Sequence, residues 1–415
     1  MQTELADWVR DTPEGIEANA ILRKCVHCGF CNATCPTYQL LGDELDGPRG
    51  RIYLIKQVLE GVAPTEKTQS HLDRCLTCRS CETTCPSGVS YGRLADIGRG
   101  MVEAKVGRPV WASIKRRALS TVLPRRWLFA PLLALGRLSK PFLPQTLAAK
   151  VPAAPAPAGA WPAARHARRM LVLAGCVQES LAPRINAAAA RVLDPAGISL
   201  IESAGAGCCG ALRYHLNRQE DGLDDMRALI DAWWPLVEGG IEAIVMTASG
   251  CGVTVKEYRH YLAHDPAYAH KAARISELCR DISEIVAVEL ERAGVPWAAA
   301  GAPAEKVAFH PPCSLQHGQQ IRGLAESVLR AAGLELTPVP DAHLCCGSAG
   351  TYSILQPDLA TRLRANKLAA LASGGPRRIL SANIGCLSHL AESSEVPVEH
   401  WIEYLDRRLD ETAGA

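Results

Sequence analysis

Apolar positions along the 415-residue chain change their period along its length, and the change divides it. In the first hundred residues the period is helical. Glu17 to Lys24 follows it, and Arg51 to Glu60 places Ile52, Leu54, Ile55, Val58 and Leu59 on one side, which predicts a helix packed under whatever the neighbouring segments hold. Beyond residue 170 short β-like runs appear: Met170 to Ala174, Ala243 to Thr247, Val307 to Phe309 and Arg378 to Ser381. Helical patterns such as Gln219 to Trp234 and Asp358 to Leu371 lie between them, an alternation that predicts parallel sheets with helical crossovers. Val151 to Ala164, rich in Ala and Pro, reads as a stiff linker between the two regimes. The longest apolar stretch, around Trp127 to Leu135, contains Pro131 and falls short of the ~20 residues that a spanning helix needs.

Cysteine positions sharpen this division. Cys25, Cys28, Cys31 and Cys35, followed by Pro36, form C-x2-C-x2-C-x3-C-P, and Cys75, Cys78, Cys81 and Cys85, followed by Pro86, repeat it. Three thiolates two residues apart wrap one tight loop around three corners of a cubane, and the fourth comes from elsewhere. In two-cluster ferredoxins the fourth Cys of each run ligates the other cluster. The expected sets for two [4Fe-4S] clusters are therefore Cys25, Cys28, Cys31 and Cys85, and Cys75, Cys78, Cys81 and Cys35. Zinc explains the C-x2-C pairs but not the third Cys or the terminal Cys-Pro. Pro36 and Pro86 are expected to stop helix at each run's end.

The later cysteines look irregular until residues 170 to 400 are laid on themselves. Cys176, Cys208, Cys209 and Cys251 then recur as Cys313, Cys345, Cys346 and Cys386, with shifts of 137, 137, 137 and 135 residues, and Cys-Cys-Gly lies at the centre of each half. The expected fold class is α+β and multi-domain: an N-terminal α-helical ferredoxin domain (1–103), a basic, Pro/Ala-rich bridge (104–168), and a duplicated α/β Cys-Cys-Gly domain (169–304 and 305–415). Each repeat offers four thiols on loops after strands, where α/β sheets place their sites. One or two further iron-sulfur clusters are the expectation there, against a set of structural thiols. His310, His317, His343 and His389 lie near the second set as candidate ligands or hydrogen-bond donors, and Cys279 stands outside the register as a buried single thiol. Gly205 to Gly210 is formally G-x-G-x-x-G, but the mate at Cys345 keeps the two cysteines and loses the first two glycines, so a dinucleotide site is rejected. No flavin or nicotinamide site and no catalytic residue is expected on this chain.

Composition, 48% apolar and 21% charged with a net charge of +2, is that of a globular protein and excludes a supercharged surface. Seventeen cysteines behind an N-terminus without a secretion signal fit metal binding in a reducing cytoplasm better than disulfides. Between Glu103 and Glu179 there is no acidic residue, while thirteen Lys or Arg fall there among Trp111, Trp127, Phe129, Leu132, Leu133, Leu135 and Phe142. Two readings stand level: a segment lying on an anionic membrane surface, or a basic helix pair docked on a partner subunit. Nucleic acid is not an expected partner, because no reader motif accompanies the charge.

The Cys-Cys-Gly pattern resembles that of heterodisulfide reductase subunits, whose domains end in C-x-x-C. Thr254 and His389 stand at that last position here, so the resemblance does not carry a noncubane cluster over. The whole order of parts resembles the iron-sulfur subunits of flavin-dependent 2-hydroxy-acid and glycerol-3-phosphate dehydrogenases. Cys-Val-His-Cys-Gly-Phe-Cys at residues 25–31, LLGDELDGPRGRIYLIKQ at 40–57 and HLDRCLTCRSCETTCP at 71–86 are closest to the glycolate oxidase (glycolate dehydrogenase) iron-sulfur subunits of bacteria. That resemblance implies partner subunits that bind FAD and oxidise glycolate to glyoxylate, with this chain passing electrons towards membrane quinone from the cytoplasmic face of the inner membrane. The same relay for L-lactate or glycerol-3-phosphate, and a cluster-bearing scaffold or redox sensor, are the alternatives. Arg49, Arg51, Arg74 and Arg79 are candidates for raising cluster potentials.

Overall fold

Helix Pro48–Leu59 begins on a proline, whose missing N–H costs nothing at a helix's first position, and buries Ile52, Ile55, Val58 and Leu59 on one face. That face meets the helix Tyr91–Val106, which contributes Leu94, Ala95 and Val102 to the same core, and the helix Pro13–Lys24 closes it with Ala18, Ile21 and Leu22. The computed structural model describes residues 1–144, 151–295 and 304–413. Among these, the first hundred hold helices joined by loops and no strand.

The crossing of the first two helices depends on one glycine. A Cβ at Gly98 would lie 2.5 Å from Ile55 Cγ1 and 2.8 Å from its Cδ1, so the helices approach as closely as they do only without a side chain there. Gly98→Ala is expected to cost about 1–3 kcal/mol through overpacking, although alanine is the better helix former. Adding Ile55→Val should recover part of it, and denaturant melts of the single and double variants check both.

The C-terminal region holds two all-parallel four-stranded sheets. The first has the order β2-β1-β3-β4, from Arg168–Val172 (β1), Ile198–Glu202 (β2), Ile244–Met246 (β3) and Cys279–Asp281 (β4). The second repeats it as β6-β5-β7-β8, from Lys306–His310 (β5), Glu335–Leu336 (β6), Arg378–Ser381 (β7) and Val398–His400 (β8). Helices Gln219–Glu238 and Pro357–Ala372 are the matching crossovers. The halves are not independent: Met170, Val172, Ile185 and Leu193 of the first share one core with Val307, Phe309, Trp401 and Leu405 of the second. Arg191 and Asp406 pair across the same junction at 2.6 Å, and His400 Nε2 meets Thr247 O at 2.9 Å.

Several expectations change in detail. β5 is one residue longer than its predicted run at each end, β1 begins two residues before its run and stops two short of it, β3 is one residue shorter at each end, and β2, β4, β6 and β8, of two to five residues, had no periodic signal of their own. Pro36 does not stop helix as expected: it is the first residue of the helix Pro36–Leu41, where its missing N–H costs nothing, while Pro86 is followed by a turn. Cys279 is fully buried, as expected, but it opens β4 inside the first sheet.

The bridge forms the helices Val110–Val122 and Arg126–Ser139, with Pro131 inside the second. Many of its basic groups are tied to partners on this chain, although Lys115, Arg117 and Arg126 stay exposed. Arg108 and Arg116 both reach Asp73, Arg108 also pairs with Glu103, Lys115 Nζ donates to Ile354 O, and Arg126 pairs with Glu179. Arg168 is held between Glu242 and Glu289. Beside these exposed charges the bridge presents large apolar groups outward: Trp111 and Trp127 are 76% and 71% exposed, Leu138 75% and Phe142 89%. After it, Val151 to Ala164 runs without helix or strand, held by Arg137 on Pro152 O and Ala153 O and by Trp161 Nε1 on Leu200 O. No helix among the described residues is long and apolar enough to cross a membrane.

Candidate metal centres

The two N-terminal runs are wound by the same backbone device. His27 and Gly29 in the first, and Thr77 and Arg79 in the second, have positive φ, at positions 50 residues apart, like the cysteines they separate. Left-handed residues between right-handed ones curl the loop so that its thiols point inward. Gly29 takes φ +87° without the strain a side chain brings there, and the Arg49 guanidinium lies over the space its Cβ would occupy. Arg79 tolerates the same conformation because Glu82 and Glu257 grip its guanidinium at 2.9 and 2.7 Å.

Two cavities result. Cys25, Cys28, Cys31 and Cys85 line one, with the buried Ile52 and Val89 as its inner apolar wall; Cys35, Cys75, Cys78 and Cys81 line the other. Cys81 borders both. The structure thus brings the fourth thiol of each run beside the first three of the other. The donor chemistry fits a thiophilic cluster. Burial and the neighbouring Cys25 push the Cys31 thiol up to about 11, and burial, with Cys313 and Cys35 nearby, raises Cys78 well above the usual thiol range. Such thiols become thiolates when a cation supplies the missing positive charge. Cys75 differs: burial opposes its ionisation, but Arg51, Arg99, the Thr77 N–H at 3.4 Å and the Tyr91 hydroxyl at 3.6 Å prevail and hold its pKa below the ordinary value.

In each repeat the thiol loops leave the carboxyl ends of three neighbouring strands. Cys176 follows β1, Cys208 and Cys209 follow β2, and Cys251 follows β3; Cys313, Cys345, Cys346 and Cys386 follow β5, β6 and β7. This is the switch point of an open parallel sheet, where the strand order reverses and a crevice opens. The glycine after each Cys pair has positive φ, and a Cβ would strike a backbone carbonyl: Gly222 O at 2.4 Å from Gly210, Ala360 O at 2.8 Å from Gly347. The shared glycine packs the loop on a helix and is no part of a dinucleotide fingerprint. In the first repeat the buried Cys176, Cys208 and Cys209 thiols perturb one another, so that Cys208 is held below the usual thiol range and Cys176 and Cys209 are raised above it. In the second, Cys313 and Cys345 lie 3.8 Å apart.

A cavity of about 480 Å³ joins these parts, bordered by Cys75 and Cys78, by Cys176, Cys208, Cys209 and Cys251, and by Cys313, Cys345 and Cys386. Leu76 packs with Cys345, Tyr352 and Leu363, and Cys78 and Cys313 adjoin the same cluster. Thr83 Oγ1 meets His317 Nδ1 at 2.8 Å, Tyr352 donates to Arg74 O at 3.1 Å, and His215 meets Asp96 at 3.0 Å. Of the four candidate histidines, His317 is committed to Thr83 and His343 O; His389 borders the large cavity with Cys386 but is committed to Ala360 O; and His310 has a ring nitrogen within 4.8 Å of the Cys346 and Cys386 sulfurs. Sequence reasoning missed Arg99, which donates to Leu72 O, Cys75 O and Thr77 Oγ1, and Lys367, buried near Cys345 and Cys346. Lys367 left a trace as a cation inside an otherwise apolar helix face; Arg99 left none.

A helical two-run ferredoxin domain joined to paired Cys-Cys-Gly units defines an iron-sulfur protein with several centres in one chain. A 4Fe-4S dicluster domain model matches residues 21–89, and a cysteine-rich domain model matches 170–256 and 307–391. The chain is 56% identical over 411 residues to the glycolate oxidase iron-sulfur subunit of Escherichia coli K12, covering 99% of this chain and 100% of that protein. It is 28% identical over 396 residues to a probable glycolate oxidase iron-sulfur subunit of Bacillus subtilis 168, covering 88% and 87%. Lactate utilization protein A of Bacillus licheniformis is 25% identical over 243 residues, covering 56% of this chain and 97% of that protein. The chain belongs to the family of glycolate oxidase iron-sulfur subunits.

Proposed function

We propose that this chain is the electron-transfer subunit of a glycolate dehydrogenase, taking electrons from a partner FAD-binding subunit that oxidises glycolate to glyoxylate and passing them towards quinone at the cytoplasmic face of the inner membrane. Cys25, Cys28, Cys31 and Cys85 would hold one [4Fe-4S] cluster, and Cys75, Cys78, Cys81 and Cys35 the other. Such clusters supply one-electron redox chemistry at potentials set by charge, hydrogen bonding and burial. Carrying the reading is the cavity that Cys75 and Cys78 of the second N-terminal set share with Cys313 and Cys345 of the second repeat, with Cys78 and Cys313 packed on the same apolar cluster. Around that junction the chain's own residues keep the path dry and fixed: Leu76, Tyr352 and Leu363 exclude water, and the Thr83–His317 and Tyr352–Arg74 hydrogen bonds hold the two domains in register. Membrane contact is supported by the outward apolar face of the bridge, with Trp111, Trp127, Leu138 and Phe142 exposed, more than by its basic groups, most of which are engaged internally.

The test is an anaerobic titration of the chain, alone and co-purified with its flavoprotein. Glycolate should bleach the visible iron-sulfur absorption and raise a reduced-cluster paramagnetic signal in the complex only. Reduction by L-lactate or glycerol-3-phosphate in its place would transfer the relay to that substrate. An unchanged spectrum in a flavin-replete complex would sink the relay and leave the scaffold or sensor.

A further inference from the structure

His310 is the last residue of β5 and is 1% exposed, yet neither of its ring nitrogens has a hydrogen-bond partner. An imidazole brings a donor and an acceptor into the interior, and leaving both unpaired is costly. The ring faces sulfur. One of its nitrogens, Cys346 Sγ and Cys386 Sγ all lie within 4.8 Å of one another. We infer that His310 is a metal ligand, and that the second repeat builds a mixed imidazole–thiolate centre on His310, Cys346 and Cys386.

Spacing supports this independently of the ring's isolation. A tetrahedral ion with metal–sulfur bonds of about 2.3 Å and metal–nitrogen bonds of about 2.0–2.1 Å holds its donors roughly 3.5–3.8 Å apart. Three donors within 4.8 Å are close to that arrangement, and no other thiol group among the described residues meets the same limit, neither the N-terminal sets nor the first repeat. The one further cluster that meets it, Asp43, Asp46 and His71, has its central carboxylate engaged by Arg51 and Arg74.

The repeats differ at this position in a way that register alone does not require. Three residues before its first cysteine the second repeat has His310, and the first has Leu173, a core side chain. Charge favours an imidazole in the second. Four thiols and Lys367 already share a buried space, and a neutral ligand adds no further negative charge. The ligand chemistry is that of a thiophilic first-row divalent ion: Zn2+, or an iron of a cluster, since imidazole with thiolate suits both.

The full chain, purified without oxygen, decides the matter. If the ion is zinc, analysis should find about one zinc per chain and X-ray absorption at the zinc edge should show a histidine nitrogen beside sulfur. If it is iron, pulsed electron paramagnetic resonance of the reduced protein should show a strongly coupled nitrogen that changes on 15N-histidine labelling. His310→Ala should lose that metal and keep the signals of the N-terminal pair. His310→Cys should retain the metal with an all-sulfur shell, while Leu173→Ala alters neither metal content nor spectra. An all-sulfur environment for every metal in the unsubstituted protein overturns the inference without recourse to variants, as does a His310→Ala chain with its metal content and spectra unchanged.

Discussion

Cys85→Ser is expected to empty the site of Cys25, Cys28 and Cys31, fifty residues earlier in the chain, and to spare the site of its own run. Iron and acid-labile sulfide should each fall by about four per chain. The expectation rests on Cys85 lining the same cavity as Cys25, Cys28 and Cys31, while Cys75 and Cys78 line another with Cys35. Double variants make it specific. Cys85→Ser combined with Cys28→Ser should lose no more iron than either alone, because both act on one site; combined with Cys78→Ser it should lose both clusters. The reverse pattern, additive with Cys28 and non-additive with Cys78, would place each fourth cysteine with its own run and remove the exchange that draws the two sites together. Serine keeps the volume and a weak ligand, so any folding defect should remain smaller than with alanine.

How far these features could be read from the sequence depends on whether they are written in spacing or in distance. The eight N-terminal cysteines announce their chemistry because three ligands must come from one short loop, and the Cys-Cys-Gly register survives because the same loops leave the same strands twice. Helices Gln219–Glu238 and Pro357–Ala372 were legible since one face of each is buried over several turns. β6 was not: two residues hold no period, and only pairing with Lys306 and Val307 makes them a strand. Nor could the bridge be read from its charge. Arg108 and Arg116 meet Asp73, an acid more than thirty residues away, so a segment that looked like a free basic surface is tied down by its basic groups. The four candidate histidines look alike in sequence, and only the fold separates His310, facing thiols, from His317 and His389, which are spent on hydrogen bonds between elements.

Of the four arginines near the N-terminal sites, Arg51 is expected to control both stability and potential. Arg49 is neutralised by Glu44, and Arg79 by Glu82 and Glu257. Arg74 lies at the surface end of Asp46. Arg51 is 1% exposed and donates to His71 O at 2.7 Å, to Thr37 Oγ1 at 3.1 and 3.2 Å and to Asp46 at 3.4 Å. Burial opposes its charge, but Cys75, Tyr91, Cys35 and Asp46 outweigh it, so the guanidinium stays protonated beside the second set. Arg51→Met should cost about 3–5 kcal/mol, since it leaves Asp46 buried with part of its compensation gone. It should also lower the midpoint potential at Cys35, Cys75, Cys78 and Cys81, because a nearby positive charge favours the state carrying one more electron. Arg51→Lys separates the effects. It keeps the charge and loses the planar fork, so stability should fall while the potential stays near its original value. Denaturant melts and redox titrations of the three proteins check this, and equal potentials in the methionine and parent proteins would show that Arg51 is a structural clamp alone.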